Sequence, residues 1–274
     1  MGFNKYPRRA FFKESCFMAA IPAVLSSFIS LSKDAGTKNK LAVSSVPDAS
    51  DLDRIRELLK QKAPVKWLFT GDSITAGVGH THGYRSYPEI FGERIRMGLQ
   101  HKRDIVINTG VSGDTSQDIL DDFDWRITQF KPAVVSLMIG TNDCAKKEMS
   151  TEIFEANLNT LLIKIRKLGA IAILQTPNMI IVEKAPERTN LFDYIAVIQN
   201  IAKKGKLILV DNWTYWRETL QIDPEVNVFK NWLNDPLHPN GTGHSEIARL
   251  MFKELSIFDP ADPTCGGKYY EGEH

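Results

Sequence analysis

Short apolar runs alternating with longer segments of helical spacing constrain this chain more than any other feature. The runs are Val65–Thr70, Asp104–Asn108, Ala133–Ile139, Ala170–Gln175 and Lys206–Val210. They are rich in Val, Ile and Leu and bounded by Gly, Pro or Asp, as expected of strands buried on both faces of a parallel sheet. Between them, Tyr87–Leu99 places Ile90, Phe91, Arg94, Ile95 and Leu99 on one side of a helix. Ser116–Phe130, Ile153–Leu168, Thr189–Lys203 and Gly243–Leu255 repeat that spacing, and Leu52–Leu59 predicts a short helix leading in. Strands joined through helices make right-handed crossovers. The pattern predicts an α/β fold, a three-layer α/β/α sandwich around a parallel sheet of about five strands. Ligands of such sheets sit at the carboxyl ends of the strands.

A length of 274 residues suits one domain with an extension. Lys and Arg number 34 and Asp and Glu 33, a net charge of +1 that gives nucleic acid no basic surface to bind. The amino terminus reads differently. Arg8-Arg9-Ala10-Phe11-Phe12-Lys13 precedes a mostly apolar run from Cys16 to Leu31, the layout of a secretory signal of twin-arginine type. Pro22 and several serines interrupt that run, which falls short of the ~20 apolar residues of a spanning helix. The expected organisation is a signal at 1–32, a linker at 33–50, a folded domain at 51–258 and a tail at 259–274. Export would place the mature chain in the periplasm or outside the cell, with no stable membrane association after signal removal. Cys16 lies in the signal. Cys144 and Cys265 remain, either bridged or free.

Four motifs carry the chemistry. Phe69-Thr70-Gly71-Asp72-Ser73-Ile74-Thr75-Ala76-Gly77 follows the first strand, and its small residues permit a tight turn exposing Ser73 as a nucleophile. Asn108-Thr109-Gly110-Val111-Ser112-Gly113-Asp114-Thr115 follows the second; Gly113 lets a backbone N–H approach a ligand. Gly140-Thr141-Asn142-Asp143 follows the third, and the Asn142 amide is a candidate oxyanion donor. Asp235-Pro236-Leu237-His238-Pro239 sets a carboxylate and an imidazole three residues apart in a proline-fixed loop. Each alone has a plainer reading as a helix cap, an Asx-turn or a surface histidine.

Together, in this order and at strand ends, the four blocks resemble those of the SGNH (GDSL-type) hydrolases over roughly residues 64–255. That resemblance implies a serine esterase with a flavodoxin-like fold and no cofactor or metal. Ser73 would be the nucleophile, His238 the general base and Asp235 its orienting carboxylate. The backbone N–H groups of Ser73 and Gly113 and the Asn142 amide would form the oxyanion hole. His80-x-His82 offers two metal-type ligands but no obvious third.

The substrate is less legible. Asp72, Tyr84, Arg85 and Trp232 are candidates for contacting it, and Trp213, Tyr215, Trp216 and Trp232 could stack on sugar rings. With no apolar run suggesting a lipid lid, the resemblance favours a carbohydrate acetylesterase acting on a small or glycan ester. The alternatives are a lysophospholipase or short-acyl esterase, and a glycan-binding module that has lost catalysis.

Overall fold

The computed structural model describes residues 50–77, 79–222 and 226–268. The signal, nearly all of the linker and residues 269–274 lie outside them. The chain runs α1 (Asp51–Lys60), β1 (Lys66–Gly71), α2 (Ser73–Ala76), α3 (Tyr87–Glu93), β2 (Ile105–Asn108), α4 (Ser116–Asp121), α5 (Phe123–Arg126) and β3 (Val134–Met138). It continues with α6 (Thr151–Lys167), β4 (Ile171–Gln175), α7 (Leu191–Gly205), β5 (Ile208–Val210), α8 (Asn212–Ile222), α9 (Val228–Asn231) and α10 (Gly241–Glu254).

The five strands pair in parallel in the order β2-β1-β3-β4-β5. Handedness explains which helices lie on which face. From β2 onward each crossover advances the same way across the sheet, so right-handed connections put α4, α5, α6 and α7 on one face. The step from β1 to β2 runs the opposite way, and α3 lies on the other face. The strands alternate accordingly. Leu68, Val135, Leu137, Ala172 and Leu174 enter the core under α4–α7. Trp67, Phe69, Val134, Met138, Ile171 and Ile173 enter the core shared with α1, α3, α8 and α10. In the second core Phe91 meets Trp67 and Phe69 edge-on, with ring centroids 5.1 Å apart in each pair. Each such contact adds about 0.5–1.5 kcal/mol to simple burial. The sheet reverses direction at β1, which puts the crevice between the carboxyl ends of β1 and β3.

Several expectations need correcting. The helix expected over Tyr87–Leu99 changes to a π turn at Arg94–Gly98. The stretch 116–130 breaks into α4, α5 and a 3₁₀ turn at Thr128–Phe130. Residues 259–268, read from the sequence only as a tail, are ordered against the domain. They form a 3₁₀ turn at Pro263–Cys265, and Asp262 pairs with the buried Arg94 at 2.7 Å. Cys144 and Cys265 are free thiols buried in opposite cores, on opposite faces of the sheet, so they are not bridged.

Candidate active site

β1 delivers the serine. Gly71 packs so tightly on β3 that a Cβ there would lie 2.1 Å from the Met138 carbonyl oxygen. Asp72 then caps α2, its Oδ1 accepting the Ile74 N–H at 2.9 Å. Ser73 follows as the first helical residue, where the backbone N–H has no partner within the helix. Asp72 is 1% exposed and lies beneath the turn rather than at the surface, so it cannot contact a bulky substrate. Burial raises its carboxyl pKa to about 7.

The segment before α10 delivers the other two groups as one unit. A bridge between Leu233 and Pro239 and a bond from Asn234 N–H to His238 O (2.8 Å) close the turn. Inside it, Asp235 Oδ1 accepts the backbone N–H groups of Leu237 and His238, both at 2.8 Å. His238 Nδ1 lies 2.8 Å from Asp235 Oδ2. A carboxylate only accepts, so Nδ1 carries the proton and Nε2 turns its lone pair to Ser73 Oγ, 2.9 Å away. Partial burial pushes the Asp235 carboxyl up, but the two N–H groups and His238 outweigh it and hold it below the usual carboxylate range. Burial lowers the His238 pKa. Asp235 opposes that shift, while the charges of His80 and Arg188 reinforce it. A neutral imidazole hydrogen-bonded to a serine and oriented by a carboxylate is the arrangement of a general base with its nucleophile.

The second and third motifs meet beside Ser73. The Val111 N–H donates to Gly71 O at 3.0 Å, tying the loop after β2 to the end of β1. Gly113 has φ +91°, a left-handed conformation that glycine adopts without strain. Its N–H makes no hydrogen bond among the described residues. Asn142 Nδ2 donates to Asp114 O at 3.0 Å and keeps a second N–H uncommitted. Next to it the buried Asp143 accepts both the N–H and the hydroxyl of Ser116, at 2.8 and 2.6 Å. Burial raises the Asp143 pKa to about 6.

Two residues enter the site that the sequence did not assign to it. His80 lies with its ring on that of His238, and its Nδ1 is 3.4 Å from Asp235 Oδ2. Arg188, from the loop after β4, bonds to Thr141 O and Asn142 Oδ1. A histidine between Gly79 and Thr81 and an arginine far along the chain belong to none of the four motifs. His80 follows α2 closely in the chain, whereas only the sheet order brings Arg188 near.

The remaining candidates divide. Tyr84 is 72% exposed beside a groove of about 490 Å³ lined also by Thr81, His82, Asn240 and Glu246. Arg85 is exposed and paired with Glu93. Trp232 is 6% exposed, set edge-on to Trp216 and stacked on Tyr215. Trp213 and Trp216 are buried too. These tryptophans fill core and offer no open face to a sugar ring, a correction to the stacking platform expected from the sequence.

His80 and His82 do not form a metal pair, since His82 faces Asn234 instead (2.5 Å). His80, Asp235 and His238 have ligand-type atoms within 4.8 Å of one another. However, the two rings lie parallel, at an angle of 2°. Nitrogen lone pairs lie in the ring plane, so those of parallel stacked rings cannot converge on one ion about 2.0–2.1 Å from each.

Comparison with known proteins agrees with this architecture. The profile of the GDSL-like lipase/acylhydrolase family matches residues 69–245. An acetylxylan esterase of Geobacillus stearothermophilus is 28% identical over 216 residues, 70% of this chain and 94% of that protein. An arylesterase of Vibrio mimicus is 25% identical over 202 residues, covering 71% and 90%. The crystal structure of the Geobacillus stearothermophilus acetylxylan esterase Axe2 superposes with a TM-score of 0.58 at 25% identity, over 71% of this chain and 96% of that one. The parallel sheet, the strand-end motifs and the matched span together show that this chain, a carboxylic ester hydrolase, belongs to the GDSL-like lipase/acylhydrolase family.

Proposed function

We propose that this hydrolase removes O-acetyl groups from a carbohydrate through an acyl-enzyme formed on Ser73. The observation that carries the chemistry is the continuous hydrogen-bond path from Ser73 Oγ through His238 to Asp235. His238 Nε2 takes the hydroxyl proton as Oγ attacks the ester carbonyl carbon. The carbonyl oxygen becomes an oxyanion, which the N–H groups of Ser73 and Gly113 and the free N–H of Asn142 stabilise. As the tetrahedral intermediate collapses, the C–O bond to the sugar breaks and the sugar oxygen leaves with the proton from His238. Water then attacks the acyl-enzyme by the same route and releases acetate.

The carbohydrate reading is supported by the acetylxylan esterase that this chain matches over 94% of that protein's length. It is also supported by the polar groove at Tyr84, which starts on the loop that carries His80. The arylesterase similarity keeps a short-acyl esterase as the second reading. A module without catalysis would not need the Ser73–His238–Asp235 alignment. No helix among the described residues is long and apolar enough to cross a membrane. The Arg8-Arg9 leader supports export of the mature chain, with the hydrolase domain beginning near Asp51.

Acetate release from acetylated xylo-oligosaccharides tests the proposal, with p-nitrophenyl acetate and a lysophospholipid alongside and Ser73→Ala as control. Serine-dependent release well above the other two substrates is the expected result. Preference for the lysophospholipid would reject the carbohydrate assignment while keeping the triad.

A further inference from the structure

The amide of Asn142 is gripped from both ends. Nδ2 donates to Asp114 O at 3.0 Å, and Oδ1 accepts from Arg188 Nη2 at 3.1 Å. The same guanidinium donates through Nε to Thr141 O at 3.0 Å, and its Nη1 pairs with Glu187. Arg188 closes the 3₁₀ turn Pro186–Arg188 in the connection from β4 to α7, and its side chain is only 13% exposed. One planar fork therefore clamps two consecutive residues of the Gly140-Thr141-Asn142-Asp143 block.

We propose that Arg188 is a positioning residue for ester hydrolysis, fixing the Asn142 amide so that its free N–H faces the developing oxyanion. The proposal rests on the reading of Asn142 as an oxyanion donor. The physical case has two parts. A guanidinium can only donate, so it admits Oδ1 at its end of the amide and rejects the flipped form, which would turn a carbonyl oxygen toward the oxyanion. A charged donor on Oδ1 also draws electron density from the amide nitrogen and strengthens the remaining N–H as a donor, as in other polarised chains of hydrogen bonds. Donors held in place before reaction need no reorganisation as charge develops. Three of the guanidinium's donors are committed to Thr141, Asn142 and Glu187, so in this proposal Arg188 acts through Asn142 and not on the ester itself.

The test is a double-mutant cycle. kcat and KM for p-nitrophenyl acetate are measured for Arg188→Met and Arg188→Lys, each alone and combined with Asn142→Ala, with thermal melts of every variant. The expected result is a loss of roughly 10- to 100-fold in kcat for Arg188→Met, with KM within about 2-fold, since the lost interaction matters only in the transition state. In the Asn142→Ala background the same substitution should change kcat by less than about 3-fold, because coupled residues are not additive. Lysine keeps the charge but lacks the fork, and should give an intermediate loss. It carries the cycle if the methionine variant melts below the assay temperature. Equal losses in both backgrounds would overturn the proposal, as would full activity of Arg188→Met where Asn142→Ala is impaired. Full activity of Asn142→Ala would instead remove the oxyanion reading of Asn142, and the proposal with it.

Discussion

The imidazole of His80 lies flat on that of His238, ring centroids 3.4 Å apart and planes within 2°, and both histidines face the Asp235 carboxylate. His80 thereby shields one face of the His238 ring. Burial holds the His238 pKa below its ordinary value against the pull of Asp235, with help from the His80 and Arg188 charges. A general base works only when neutral. Replacing His80 with alanine exposes the ring and removes one of the influences that lower the His238 pKa, so that pKa should rise. The acid limb of kcat/KM against pH is then expected to move to higher pH, with the alkaline plateau nearly unchanged. A limb that stays in place would show that His80 does not tune His238.

Ser73→Ala should lower kcat by about 10⁴–10⁶-fold, and Asp235→Asn by about 10⁴-fold. Both are read by steady-state kinetics on p-nitrophenyl acetate. A fluorophosphonate probe should label the native chain and fail on Ser73→Ala. Labelling at another serine would displace Ser73 from its role.

Asp72 gives a pH-dependent stability prediction. Burial raises its folded-state pKa from the ordinary carboxylate range to about 7, so the fold prefers the protonated form. Its contribution to stability is complete below the unfolded pKa and is lost as pH rises through about 7. Asparagine keeps the Oδ1 acceptor for Ile74 and carries no charge. Asp72→Asn should raise Tm at pH 8, by about 2–4 °C per kcal/mol recovered, and leave it unchanged near pH 4. A drop in Tm at pH 8 would contradict the assignment.

At the opposite end of the sheet, Asp104 accepts the Val65 N–H and the Trp67 indole N–H, both at 2.9 Å, and is 4% exposed. Asp104→Ala strands two buried donors and should cost about 2–4 kcal/mol in urea unfolding. Because the candidate site lies at the carboxyl ends of the strands, kcat of the folded fraction should stay at the native value. A large loss of kcat would mean that strain at this end reaches the crevice.

What was legible in the sequence was whatever leaves a local trace. Val, Ile and Leu runs marked all five strands, and the spacing over Ile153–Leu168 found α6 within a few residues. Helix α8 was missed because Trp213, Tyr215 and Trp216 looked like a binding surface. Their spacing turns Trp213 and Trp216 into different cores, one on each face of the sheet. The four motif blocks were visible because each is a compact turn at a strand end. The place of Arg188 depends on sheet order, and that of His80 on the path of a loop that carries no period. Cys144 and Cys265 could not be assigned from spacing, since only the fold reveals that the sheet lies between them.

The Asp235–His238 turn closes on itself, and a single hydrogen bond joins it to Ser73 across 165 residues of chain. During synthesis Ser73 therefore emerges long before His238. Until residues 235–238 have left the ribosome and docked on the finished sheet, Ser73 is an ordinary alcohol. The proposed triad is thus completed only in the closing steps of folding, and a chain interrupted anywhere before that turn would lack it.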